Sequence, residues 1–189
     1  MLTSSTAVVL SVSALGLLGA CSGESERVAL TQGGPPAPAL RLPVLAEGET
    51  CPVSSERSIS PDFGPALGEG PVYPVGIPHG LLEFIYPAVE TQLWYPSDWG
   101  GQKVLWVVDP KYHGPIVIRG GRIDAPGRLG FGARAEPDWA MDFGSSGAAG
   151  SWRQFPSYTR LKAPGCYAYQ IDGDGFRTTI VFEADVLSE

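Results

Sequence analysis

The chain has 189 residues, of which 25 are glycine and 18 proline, a density of breakers that excludes a long-helix architecture, while 43% hydrophobic residues still supply a packed core. Thirteen basic residues against 20 acidic ones give a net charge of −7, the wrong sign for a protein that holds nucleic acid through its phosphates. The length fits one folded domain.

Residues 1–20 are uncharged, and Ala7 to Gly19 form a mostly apolar stretch of 13. That matches the core of a secretory signal, about 7–15 residues, better than the roughly 20 a membrane span requires. An uncleaved anchor is the alternative. Leu18-Gly19-Ala20-Cys21, followed by Ser22, resembles the lipobox of bacterial lipoproteins. The resemblance implies a signal peptide over 1–20, diacylation of Cys21, and an extracytoplasmic protein anchored by lipid to the cell membrane or outer membrane. The first basic residue, Arg27, lies beyond that cleavage point, whereas such signals begin with one.

With Cys21 assigned to the lipid, Cys51 and Cys166 remain as an even pair in an oxidising compartment, and a disulfide is expected between them. Two buried free thiols are the alternative. Residues 21–49 contain Gly33-Gly34-Pro35-Pro36-Ala37-Pro38, few large apolar residues and no aromatic one. They read as a disordered, flexible Pro/Gly-rich tether with a reach of about 30 Å, leaving 50–189 as the domain.

Between residues 50 and 175 no stretch free of Pro and Gly exceeds eight residues, reached at Val53 to Ser60, Ala88 to Tyr95 and Gln102 to Asp109. Eight suits strands, and these windows are rich in β-branched and aromatic residues. Lys103 to Val108 predicts a central strand buried on both faces, and Pro115 to Arg119 its hairpin return across the turn 109–114. Cys166 to Ile171 and Phe176 to Ala184 predict a C-terminal hairpin around Asp172-Gly173-Asp174-Gly175, with Phe176, Thr178, Ile180 and Phe182 at period two. The chain has no Asn, so Asp and Gly supply the turns and N-glycosylation is excluded. Val72 to Val75, Leu82 to Tyr86, Leu93 to Tyr95 and Trp152 to Phe155 are further strand candidates, making eight.

Short strands with frequent turns, a Cys entering the penultimate one and a Trp in mid-domain resemble an immunoglobulin-like β-sandwich. The expected fold is therefore all-β, an antiparallel sandwich after a signal peptide and a linker, with a small barrel as the second choice. Ala163-Pro164-Gly165 precedes Cys166 where antibody-type domains place a Tyr two positions earlier. Because Cys51 precedes the first clear strand, its bond would tie the N-terminal edge to the penultimate strand instead of bridging the sheets. The run Tyr158 to Phe182 is also similar to the C-terminal end of uncharacterised bacterial lipoprotein domains, a similarity that implies no activity.

Catalytic and metal chemistry find little support. His79 and His113, both beside Gly, lack partners at ligand spacing and read as surface loop residues; no metal or cofactor is expected. Asp172 to Gly175 echoes the start of a calcium loop, but Phe176 and Arg177 fall where an oxygen ligand and Gly belong, so a hairpin turn is the reading. Gly144-Ser145-Ser146-Gly147-Ala148 ends in Ala where a nucleophile elbow needs Gly. Asp138 and Asp142, with Glu136 nearby, are the densest acidic group; with His113 they define an alternative, a small extracytoplasmic hydrolase.

Aromatic residues are more suggestive. Trp94, Tyr95 and Trp99 fall in one Pro/Gly-rich loop, and Trp139 and Trp152 flank another. Trp106 and Trp152 read as core. Trp94, Trp99 and Trp139 read equally well as core or as surface anchors, and with Tyr95 they form the candidate binding surface. The sequence thus points to a non-catalytic interaction domain for an envelope protein or glycan, with a purely structural envelope role as a further alternative.

Overall fold

The computed structural model describes residues 38–145 and 150–187. The proposed signal peptide, Cys21 and most of the small-residue loop at 145–148 lie outside them.

Among the described residues eleven strands are present: β1 (Glu56–Arg57), β2 (Ala66–Leu67), β3 (Val72–Val75), β4 (Leu81–Phe84), β5 (Gly100–Val108), β6 (Ile116–Arg122), β7 (Gly130–Phe131), β8 (Met141–Phe143), β9 (Arg153–Leu161), β10 (Gly165–Gly173) and β11 (Phe176–Val186). They form a six-stranded sheet, order β1-β2-β3-β5-β9-β7, and a five-stranded sheet, order β4-β11-β10-β6-β8. The all-β expectation holds. The immunoglobulin-like topology does not emerge from the pairing, because that fold's sheets are antiparallel with four and three strands, whereas here β4 runs parallel to β11.

Alternation explains the core. Val104, Trp106 and Val108 of β5 face Tyr167, Tyr169 and Ile171 of β10, with Ile180, Phe182 and Ala184 of β11 beside them, all buried in one cluster. Trp106 meets Tyr169 edge-to-face at 4.9 Å, and Tyr169 stacks on Phe182 at 4.5 Å. The Tyr169 hydroxyl shares a 2.6 Å hydrogen bond with Thr159 Oγ1 of the facing sheet. Burial raises its pKa, so it remains a neutral phenol.

The C-terminal hairpin forms as expected, with Gly173 opposite Phe176 and Gly175 at φ +81° in the turn. Three expectations are corrected. The strand buried throughout its interior is β10, not β5, where Lys103 is exposed. The stretch after the 109–114 turn does not return beside β5, whose edges are taken by β3 and β9; it crosses to the other sheet as β6, between β10 and β8. Leu93 to Tyr95 is no strand, because Gln92 N–H donates to Val89 O and Tyr95 N–H to Gln92 O in local turns.

The segment expected as tether is docked at its domain end. Gln170 Oε1 accepts the Arg41 N–H at 2.6 Å, Gln170 Nε2 donates to Ala39 O, and Leu45 N–H donates to Ile123 O at 2.8 Å. Leu42 and Leu45 pack with Cys51 against Ile123, Cys166, Ala168 and Val181 on the outer face of β10 and β11. The small apolar residues on this face make room for the segment, which is why β10 is buried on both sides. Cys51 and Cys166 are disulfide-bonded, Cα to Cα 5.5 Å, tying this N-terminal strap to the second sheet.

Candidate functional site

Strand register assembles the site at one end of the six-stranded sheet. Gly100 pairs with Leu161, which sets Trp99 next to Lys162. Gly130 pairs with Arg160 on the other side of β9, and Phe131 bridges back to Asp138, which brings Arg128 and Trp139 to the same end. The glycines at the start of β5 are required by space. A Cβ on Gly100 would lie 2.4 Å from Ile85 O, and one on Gly101 2.7 Å from Thr159 O.

Arg160 holds the loops in place. Its side chain is fully buried and donates to Gly100 O (3.1 Å), Trp99 O (3.1 Å), Ser97 Oγ (3.0 Å), Gly132 O (3.2 Å) and Arg134 O (2.6 Å), with its guanidinium 4.4 Å from the Trp94 ring centroid. Ser97 Oγ in turn donates to Ala135 O at 2.6 Å. Burial lowers the Arg160 pKa to about 10, which leaves it charged at neutral pH. Five acceptors in place of one carboxylate make it a clamp between the 94–99 loop and the 132–135 loop.

Around this clamp the aromatic residues separate into two groups. Trp94 is buried against Tyr158 at 5.0 Å, and Trp99 is 8% exposed, so the surface role considered for them is corrected: both are packing residues. Tyr95 and Trp139 are surface residues, 47% and 37% exposed. Trp152 is half-buried, edge-on to Phe63, and not a core residue like Trp106. Trp99 and Trp139 meet edge-to-face at 5.5 Å; the Arg128 guanidinium lies 3.5 Å above the Trp139 ring, and Lys162 Nζ lies 4.7 Å from the Trp99 centroid. Arg128 and Lys162 were not singled out in the sequence, since nothing in either's neighbourhood distinguishes it from an ordinary surface cation.

Three open grooves follow this array. One of about 490 Å³ is lined by Tyr95, Asp98, Trp99, Glu136 and Lys162. A second, about 340 Å³, lies among Trp99, Arg122, Arg128, Lys162 and Tyr167. A third, about 330 Å³, lies among Leu42, Arg119, Arg122, Arg128 and Trp139. Each shares residues with the next: Trp99 and Lys162 join the first two, Arg122 and Arg128 the last two.

Of the acidic group behind the hydrolase alternative, Glu136 lines the first groove. Asp138 is ion-paired with Arg134, Asp142 is exposed on β8, and His113 is exposed in the 109–114 turn; none lines these grooves. Among the described residues no group of three His, Cys, Asp or Glu could hold a metal. The Asp172 carboxylate of the calcium-like turn is engaged by Arg119 (2.7 Å), Arg177 (2.6 Å) and Gln170 (2.8 Å). Burial alone would raise its pKa, but these three donors outweigh burial and hold it below the ordinary carboxyl value.

No family model matches the chain, and no curated protein matches it. Among solved structures, a candidate lipoprotein from Bacillus anthracis is similar with a TM-score of 0.48 and 14% identity, covering 72% of this chain and 87% of that one. Likeness at this level assigns neither a family nor the role of any residue.

Proposed function

We propose that this chain is a lipid-anchored extracytoplasmic protein whose β domain binds an envelope component, protein or glycan, through the loop end bearing Tyr95 and Trp139. The anchoring half rests on Leu18-Gly19-Ala20-Cys21 and on the Cys51–Cys166 bond, which suits an oxidising compartment. The binding half rests on one observation: Trp139 stays 37% exposed on the wall of a groove, with the Arg128 guanidinium over its ring. An indole in that position contributes less to the core than a buried one and is available to a partner. Tyr86, Val89, Leu93 and Tyr95 extend the exposed apolar surface along the adjoining loop.

Two measurements test the proposal. Mass spectrometry of the membrane-extracted chain is expected to show cleavage before Cys21 and the mass of acyl chains; an uncut leader would refute the anchor. The full-length chain in detergent is expected to co-sediment with a washed envelope fraction, and Trp139→Ala to abolish this while leaving the thermal midpoint within a few degrees. Unchanged co-sedimentation of the variant would refute the surface.

A further inference from the structure

Cations are unevenly distributed over this loop end. The middle groove is lined by Arg122, Arg128 and Lys162 and by no acidic side chain. Arg122 is already neutralised, its Nε and Nη2 meeting Asp124 at 2.6 and 3.3 Å. Arg128 and Lys162 form no ion pair among the described residues. In a chain of net charge −7, these two cations line a groove without acidic side chains, although Lys162 also borders Asp98 and Glu136 in the first groove, and this favours an anion there.

Resting on the binding reading above, we infer that this groove holds the carboxylates of an acidic, uronate-bearing polysaccharide. Stacking on the indoles fixes both cations before any ligand arrives, which lowers the ordering cost of binding. Arg128, held 3.5 Å over the Trp139 ring centroid and outside any ion pair among the described residues, offers N–H groups of the kind that a carboxylate accepts in bidentate fashion. The remaining wall is Pro126, Ala163, Tyr167 and Trp99, suited to the C–H face of a sugar ring. The Tyr167 hydroxyl is spent on Ala163 O at 2.8 Å and adds no polar demand.

The shape favours a chain over a single ion. Two grooves of about 340 and 330 Å³ share Arg122, Gly127 and Arg128, so consecutive residues of one polymer can reach the same cation from both. Each volume is near the small end for a ligand pocket, about 300 Å³. Anionic membrane recognition uses clusters of about four to eight basic residues, more than stand free here. Strand addition by an acidic peptide would have to use one of the edge strands β1, β4, β7 or β8, none longer than four residues.

The test uses the full-length chain in detergent, with galacturonic acid oligomers as probe and neutral galactose oligomers and poly-glutamate as comparisons, read by calorimetry and tryptophan fluorescence. Saturable binding of the uronate oligomer is expected, weakened by raised salt, with no binding of the neutral oligomer. Arg128→Gln and Lys162→Gln should each weaken it about tenfold or more, and Lys162→Arg should retain it; thermal unfolding of each variant verifies that it is folded. Absence of uronate binding, equal binding by the folded double Gln variant, or stronger binding of poly-glutamate overturns the inference. Trp139-dependent retention on envelopes without uronate binding sinks this inference alone; loss of both sinks the binding reading as well.

Discussion

Replacing Arg160 by Met keeps the aliphatic stem and removes the guanidinium that joins the two site loops. Each of its five hydrogen bonds has a charged donor, worth about 1.5–3 kcal/mol singly. Their plain sum would rival the whole stability of a domain, about 5–15 kcal/mol. It overstates the loss because Met also removes the burial penalty that lowers the Arg160 pKa. What counts is the acceptors left behind. Gly132 and Arg134 lie at or near the surface, where water can replace the donor, whereas Trp99 and Gly100 are buried. Two weakened buried acceptors at about 1–3 kcal/mol each place the cost at about 3–4 kcal/mol. Urea unfolding followed by tryptophan fluorescence would show it as a midpoint lowered by about 1.5–2 M, for a slope near 2 kcal/mol/M. Arg160→Lys should recover little, since a point charge cannot reach five acceptors in a fork. A midpoint shift below about 0.5 M for Met, or full rescue by Lys, would refute the clamp.

Cys51→Ala with Cys166→Ala opens a cross-link spanning 115 positions and should cost about 3–5 kcal/mol in chemical unfolding, with the variant matching the reduced parent protein. Trp94→Ala and Trp99→Ala should each cost about 3 kcal/mol in the same assay, because both indoles are buried; stability within about 0.5 kcal/mol of the parent would return them to the surface. Asp172 has a folded pKa held below its unfolded value, so its contribution is complete above about pH 4 and is lost as pH falls through the folded pKa. Asp172→Asn should therefore destabilise by about 2–3 kcal/mol at pH 7, leaving Arg119 short of its partner, and by much less near pH 2. Equal losses at both pH values would contradict the assignment.

The parts of the fold legible in the sequence are those whose signal is local. Alternation in 176–182 and the Asp-Gly turn specify the β10–β11 hairpin, and Val72 to Val75 is bounded by its own breakers. The two-residue strands β1, β2 and β7 and the three-residue β8 carry no period to detect; they exist because longer neighbours offer them an edge. Likewise, no local feature tells whether the stretch after Val108 pairs with β5 or crosses to the facing sheet. That is decided by competition for edges, which β3 and β9 win.

The site was half legible for the same reason. Clustering in one loop drew attention to Trp94, Tyr95 and Trp99, but burial divides them, since Arg160 reaches in from β9 to fix the loop over Trp94 and Trp99 and leaves Tyr95 outside. Arg128, Trp139 and Lys162 come from three separate stretches and meet only because β9 pairs with β5 on one edge and β7 on the other. A cation's role here depends on what lies beneath it. Arg134 is paired with Asp138 and is an ordinary surface cation, while Arg128, six residues earlier, lies on an indole and, among the described residues, in no ion pair. If register creates the site, a change that disturbs β7 without touching the groove must weaken it. Gly130→Ala, whose Cβ would lie 2.6 Å from Pro137 Cβ, should displace the 131–138 hairpin and reduce Trp139-dependent binding even where stability is largely kept.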